Sequence, residues 1–501
     1  MKKILTTIVI VSCASLLLIA QKFGGPNGGP GNGAGGQPPE FPDGQPPEGF
    51  GTVPDEEVPE LSAEKVITSD EDTSDLALST SSEDKSLLLV KNGAAANISD
   101  SSFEKKAGDS SNDGQSNFYG LNAALVVTEG KLSLSNVEVS SSANGSNAVF
   151  VTGENSSIEI DGIKIRTTKD SSRGLDATYG GSINAKNVDI STKGAHAAAF
   201  ATDRGEGNVT VDGGIAATAG QGSPVIYSTG NISVSNLEGS ASGSEIAVIE
   251  GKNSIKLNNV QISGGTKSGH GNTGCAVMLY QSMSGDAGQG TSVFTAKKST
   301  LTSNSDGAFF YITNTNANIN LENTKLENQT GKLIQVSQNN SERGWGRKGA
   351  NGGTLKFKSE NQILEGSICV DEISSASLYF NEGTEFTGSI NSEKQGKVNL
   401  YLEKNASISL TADAYVNVLS LADKKGKNIL SNGYTIYYNK NAKENKWLHG
   451  KTIKLKDGGK LVGIEMKFKE AKSAGGEFDF RQRPPTPPNG NPPSGTPSQH
   501  M

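Results

Sequence analysis

The sequence predicts an all-β chain wound as a right-handed parallel β-helix, a solenoid of about eleven or twelve coils. Three observations lead there. Only 34% of the residues are hydrophobic while glycine reaches 62 of 501. Such a chain cannot fill one wide spherical core, but it can fill a narrow core drawn out along an axis. A small residue followed by a short apolar strand recurs through the middle of the chain. After each such strand comes a second one whose alternation slips by one residue at an Asn or a Gly.

The recurring anchors are Ala124 (ALVVTEG), Ala148 (AVFVTGE), Gly174 (GLDATYG), Ala198 (AAFATDR), Pro224 (PVIYSTG), Ala247 (AVIEGKN), Ala276 (AVMLYQS), Ala308 (AFFYITN) and Lys332 (KLIQVSQ). Their spacings are 24, 26, 24, 26, 23, 29, 32 and 24 residues. Each interval is one coil, with the excess length placed in loops.

The second strand reads apolar-x-apolar-x, then Asn or Gly, then apolar again. Leu132 and Leu134 precede Asn136 and Val137; Ile158 and Ile160 precede Gly162 and Ile163; Ile183 and Ala185 precede Asn187 and Val188. The same unit recurs at Gly213, Asn236, Asn259 and Asn323. Period-two alternation buries one strand face. Apolar residues on both sides of the slip point inward only if the chain bends there. Asn and Gly tolerate the left-handed backbone such a bend needs. Asn136, Gly162, Asn187, Gly213, Asn236, Asn259 and Asn323 are therefore expected as stacked corners with a structural role, their amides hydrogen-bonding along the axis.

The ends differ. Residues 1–20 carry Lys2 and Lys3, an apolar run to Ile19 and a small Ala20, the plan of a secretory signal. Ile10-Val11-Ser12-Cys13 also fits a lipoprotein cleavage site with Cys13 lipidated, and a retained anchor is a third route. Loss of residues 1–20 would take the net charge from −7 to −9 and leave no transmembrane segment. Residues 21–60 and 470–501 are rich in Gly, Pro and polar residues and read as disordered linkers. The helix is expected over 61–430, closed by a β cap over 431–469 that shields the last coil's unpaired backbone. Cys275 and Cys369 lie in apolar strand contexts three coils apart and are expected as buried free thiols. An acidic chain without a basic cluster argues against nucleic acid as a partner.

Over roughly residues 85–430 the chain resembles the pectin-lyase-like superfamily of right-handed parallel β-helices, with corners like the Asn ladders of that group. The stretches GLDATYGGSI, GAHAAAFATDRGEG, SPVIYSTGNI, VIEGKNSI and VMLYQSMSGDAG are similar to a subgroup of extracellular bacterial β-helix proteins. Ser407 to Leu419 resembles the segment that closes β-helical autotransporter passengers. The resemblance implies the fold and a place outside the cell, secreted or at the surface. It leaves activity open, because the superfamily spans lyases, hydrolases and adhesins.

A superfamily lyase would imply clustered carboxylates holding Ca²⁺ beside a basic residue. The nearest approach is Arg173 with Asp176, and Asp203 with Arg204 one coil away, so Asp176, Asp203 and Arg204 are the candidates if the chain is an enzyme. No other cofactor is implied, and His196, His270, His449 and His500 lack zinc spacing. Loops 202–208, 281–291, 313–318 and 337–353 leave the anchor strand at one edge and should stand in a row. In the last of them Trp345, flanked by Arg343, Arg347 and Lys348, is the candidate ligand-binding group, able to stack on a sugar or hold an acidic glycan. The functional expectation is a non-catalytic extracellular binding protein, adhesin-like or carbohydrate-binding, meeting a polysaccharide, a cell-surface glycan or a protein. A polysaccharide lyase or glycoside hydrolase is the alternative.

Overall fold

The computed structural model describes residues 57–269, 273–341 and 345–472. The segments read as signal, most of the first linker and most of the tail, together with His270 and Arg343, lie outside the described residues. Among the described residues no helix is long and apolar enough to cross a membrane.

The chain is a parallel β-solenoid of about 16 turns. One face is a 12-stranded parallel sheet running from Ser62–Ile67 to Ser367–Val370. It continues through a bridge between Ile368 and Ile390 to Ala414–Val416, Thr435–Asn439 and Lys460–Ile464. The expected eleven or twelve coils are too few. The shortfall in number falls among the coils without the small-residue anchor. The first, Ser62–Thr80, is charged and half-exposed because it packs on one side only. The last ones have lost their loops: Phe357, Leu378 and Leu400 stack in register 21 and 22 residues apart. Near the end, Ile453–Lys454 runs antiparallel to Lys460–Ile464 and, with the short helix Lys443–Leu448, closes the stack.

The core is a column of in-register apolar side chains. Leu132, Ile158, Ile183, Val209, Ile232 and Ile255 stack with Phe294, Ile319 and Phe357, all buried. Each such side chain contributes roughly 1.5–3 kcal/mol on burial. At the corners the slip is visible in burial: Lys131–Ser141 alternates, then shows two exposed residues at Ser135 and Asn136 before alternation resumes. All seven corner residues have positive φ, from 47° at Asn323 to 86° at Gly213. Asp75, Asp100, Lys298 and Asn361 also have positive φ at strand breaks stacked with these corners. The axial hydrogen bonds are not a pure Asn ladder. Asn259 donates to Asn236 (2.7 Å), but Asn187 donates to Asp161 (2.9 Å) and Asn236 to Asp212 (2.5 Å). Where the corner is glycine it has no side chain, and the aspartate just before it supplies the acceptor.

Two loop expectations change. Residues 313–318 form no loop: strands Ala308–Thr313 and Asn316–Glu322 are joined by a tight turn in which Asn314 takes a φ of 54°. Between the second and third coils, the polar stretch 106–119 holds a helix, Asp113–Tyr119, whose first turn is capped by the Asn112 side chain. It lays Phe118 and Tyr119 over the outer side of the anchor sheet. Cys275 is buried, but Cys369 is exposed, because alternation turns Ile368 and Val370 inward and the thiol outward.

Candidate functional site

Side chains at alternate positions of the anchor strands point away from the core. In most solenoid faces they would meet water. Here Phe150, Asp176, Ala201, Val248, Met278 and Tyr311, one per coil in register, are buried. The helix Asp113–Tyr119 and the loops 281–291 and 337–353 cover them. The loops thus make a second, partly polar core outside the first.

Strand Leu175–Thr178 sends Leu175 and Ala177 into the solenoid and Asp176 outward, fully buried at 0% exposure. Arg173 forks between two coils, bonding Asp176 at 2.8 Å and Asp203 at 2.9 Å. The second oxygen of Asp203 accepts from the Arg204 backbone N–H at 2.9 Å. Arg204 itself turns away from Asp176. Its guanidinium lies 3.9 Å over the Phe118 ring and pairs with Asp286 of the covering loop at 2.7 Å. The basic partner of the two carboxylates is therefore Arg173, and Arg204 ties down a loop. Tyr179 stacks on Tyr119 at 5.2 Å beside them.

Further along the same face Glu250 accepts from Tyr227 (3.0 Å), Tyr280 (2.7 Å) and Ser282. Tyr280 in turn meets Trp345, ring centroids 4.8 Å apart. The 337–353 loop folds back over earlier coils, and its Trp345 carbonyl accepts from Asn339 and Asn351. Trp345 is half-buried as a cover on the Val248, Cys275, Met278, Tyr280 and Tyr311 cluster, while Arg347 and Lys348 are exposed beside it.

Three of these carboxylates, Asp176, Asp203 and Asp286, thus pair with two guanidiniums, while Glu250 is held by hydroxyls. Burial and repulsion push Asp203 up to about 7, against the pull of Arg173. Burial also raises Asp176 and Glu250, and Asp176 Oδ1 accepts no hydrogen bond. One guanidinium cannot neutralise two anions in low dielectric, so the Asp176–Asp203 pair retains a proton far above the usual carboxylate range. Among the described residues no group of three or more His, Cys, Asp or Glu is placed to hold a metal ion. Sequence reasoning found Arg173, Asp176, Asp203, Arg204 and Trp345, but missed Glu250, Tyr227, Tyr280 and Asp286.

A pH dependence follows. Unfolded, Asp203 titrates near 3.8; folded, it holds its proton to about 7. The folded state binds the extra proton in between, so this group's contribution to stability falls as pH rises through that window and levels off above it. Urea midpoints from pH 4 to 8 should decline more steeply for the native chain than for Asp203→Asn. Parallel profiles would contradict the assignment.

What the fold and this face define is a parallel β-solenoid with a loop-sealed carboxylate and guanidinium cluster on its outer side. The chain matches no family model, no curated protein and no solved structure.

Proposed function

We propose that this chain is a non-catalytic polysaccharide-binding protein of the cell exterior, distantly related to the pectin-lyase-like superfamily. The observation that carries the reading is the contrast between two faces. The carboxylates that could do chemistry are sealed and already paired. By contrast, the strands approaching the corners present an open groove of about 640 Å³ lined by Asp72, Asn97, Ser133, Ser135, Glu159 and Lys186. These residues are exposed, and the row continues in register from coil to coil. Hydroxyl, amide and carboxylate groups recurring about every 4.8 Å suit a polymer that repeats its own hydroxyls. Export by the residue 1–20 signal, or anchoring through Cys13, would place that face outside the cell.

The test is binding to a panel of neutral and acidic polysaccharides with the native chain, Glu159→Ala/Lys186→Ala and Trp345→Ala. The groove variant should bind about tenfold or more weakly, the loss of one or two good polar contacts. Trp345→Ala should bind nearly as the native chain, because its ring is engaged by Tyr280. The reverse ranking would move the site to the 337–353 loop with Arg343, Arg347 and Lys348; no binding at all would reject the reading.

One observation favours the enzyme alternative: Asp203, at about 7, exchanges a proton near neutrality. Lyase or hydrolase chemistry at Asp176, Asp203 and Arg204 would need loop 281–291 to lift. Polygalacturonate and related polymers, with and without Ca²⁺, should yield neither unsaturated product nor new reducing ends.

A further inference from the structure

The acidic net charge of the chain hides a strong polarity along the solenoid axis. Residues 57–85, the first coil and its flanks, carry nine carboxylates and two lysines, a net charge of −7. Residues 423–465, at the other end, carry ten lysines and four carboxylates, a net charge of +6. All ten lysines are exposed. In sequence only Lys424 and Lys425 among them are adjacent. Winding brings them to one end. An ion pair engages Lys440 with Glu465 (3.2 Å), and the two lysines of the first coil face Glu71 and Glu64.

Apolar exposure follows the same axis. Among the described residues six large hydrophobic ones are exposed: Val58, Val66, Ile215, Ile363, Leu430 and Tyr434. Four of them lie at the ends, Val58 and Val66 at the acidic one, Leu430 and Tyr434 at the basic one. Strands Ser62–Ile67, Glu71–Ser74 and Ala77–Thr80 each pair on one side only, and Ile429–Leu430 is the last strand of its face.

The first and last described residues bond to the side of the solenoid. The Glu57 carbonyl accepts from Gln115 Nε2 at 2.9 Å, beside the helix Asp113–Tyr119. At the other end Lys472 donates its N–H to the Ile373 carbonyl at 3.0 Å, several coils back along the solenoid. Neither end face is where the described chain enters or leaves.

We propose that the acidic first-coil end of one copy docks on the basic last-coil end of another, giving head-to-tail, open-ended association of this chain. Opposite charges at −7 and +6 steer the ends together and disfavour like ends. The exposed Val and Leu/Tyr side chains supply area that charge alone does not. Because the contact joins two different surfaces, it does not close on a pair. Ionic contact between surface charges is screened within about 8–10 Å at physiological salt, so the association is salt-sensitive.

Sedimentation equilibrium of the purified protein across a concentration series tests this. At about 20 mM salt the mean mass should climb past two copies, and at about 500 mM it should fall back to one, as screening predicts. Two variants probe the ends separately: Lys451→Glu/Lys454→Glu/Lys456→Glu, and Glu57→Lys/Glu60→Lys/Glu83→Lys. All six positions are exposed, so circular dichroism melts should match the native chain, and each variant should stay single at low salt. A native chain that is single at every salt overturns the proposal, as does a mass that stops at two. It is also overturned if only the lysine variant has an effect and the native monomer binds inorganic polyphosphate or anionic phospholipid vesicles, since the basic end then serves another anion.

Discussion

Replacing Arg173 with methionine should destabilise the chain by about 3–5 kcal/mol at pH 8, the range for a buried ion pair that loses one partner. The size follows from what remains. Asp176 is fully buried and Asp203 nearly so, and each bonds the same guanidinium at 2.8 and 2.9 Å. Without it, two carboxylates face one another under loop 281–291 with no cation between them. The loss should shrink towards pH 5, because protons then do part of what the arginine did. It should also be smaller in Arg173→Met/Asp176→Leu, where one of the two charges is gone. Urea unfolding of the single and double variants at the two pH values checks both points. A loss under about 1 kcal/mol at pH 8 would mean that water already reaches the pair, which would reopen the enzyme reading.

The part of the fold legible in sequence was the part that repeats. Leu132, Leu134, Val137 and Val139 could be read as one inward row with a bend at Asn136, because side-chain alternation and the αL tolerance of Asn are both local properties. Lys298 was not legible as a corner. Its φ of 49° is imposed by the coils on either side, with Lys298 N–H bonding the Glu322 carbonyl and Asn259 N–H bonding the Lys297 carbonyl. The first coil lay inside the expected range 61–430, but none of its strands stood out, for a different reason. SAEKVI alternates correctly, but as an end coil it buries only Ile67 below the level of its neighbours, so its composition is nearly that of a linker. Leu355 to Phe357, Leu378 to Phe380 and Val398 to Leu402 were legible as late strands; what the anchor spacing did not give was their shorter interval of 21 and 22 residues.

The site was half legible. Asp176 stood out as an acid inside an apolar anchor strand and Asp203 in the turn that follows the next one, and register put them one coil apart. Glu250, in AVIEGKN, carried the same signal and could have been found by it: it closes the buried strand Ala247–Glu250. Asp286 and Trp345 could not be placed by such reasoning. They reach the anchor sheet through loops whose direction is set by tertiary contacts, Arg204 for the one and Tyr280 for the other. A row of apolar and charged groups on the outer face, Phe150 to Tyr311, needs a cover, and the loops are it.

The sharpest contrast in backbone tolerance should come from two adjacent glycines. Gly213 and Gly214 both have positive φ, 86° and 120°. Gly213 is a corner equivalent to Asn187 and Asn236, and a Cβ built there would find its nearest neighbour, Asn187 Oδ1, at an ordinary 3.6 Å. Gly214 occupies the position held by Val188 and Leu237 in the adjoining coils. A Cβ there would stand 2.0 Å from the Val188 carbonyl oxygen and 2.6 Å from the Val188 nitrogen, both backbone atoms fixed by the sheet. Gly213→Asn should therefore change stability by less than about 1 kcal/mol, since Asn already serves at this corner elsewhere and narrows the unfolded ensemble. Gly214→Ala should cost about 3 kcal/mol or more, combining backbone strain with an overlap that only separation of two coils can relieve. Urea midpoints at constant m value measure both. Equal losses in the two variants would show that left-handed backbone alone, and not the approach of coil to coil, is what makes glycine necessary there.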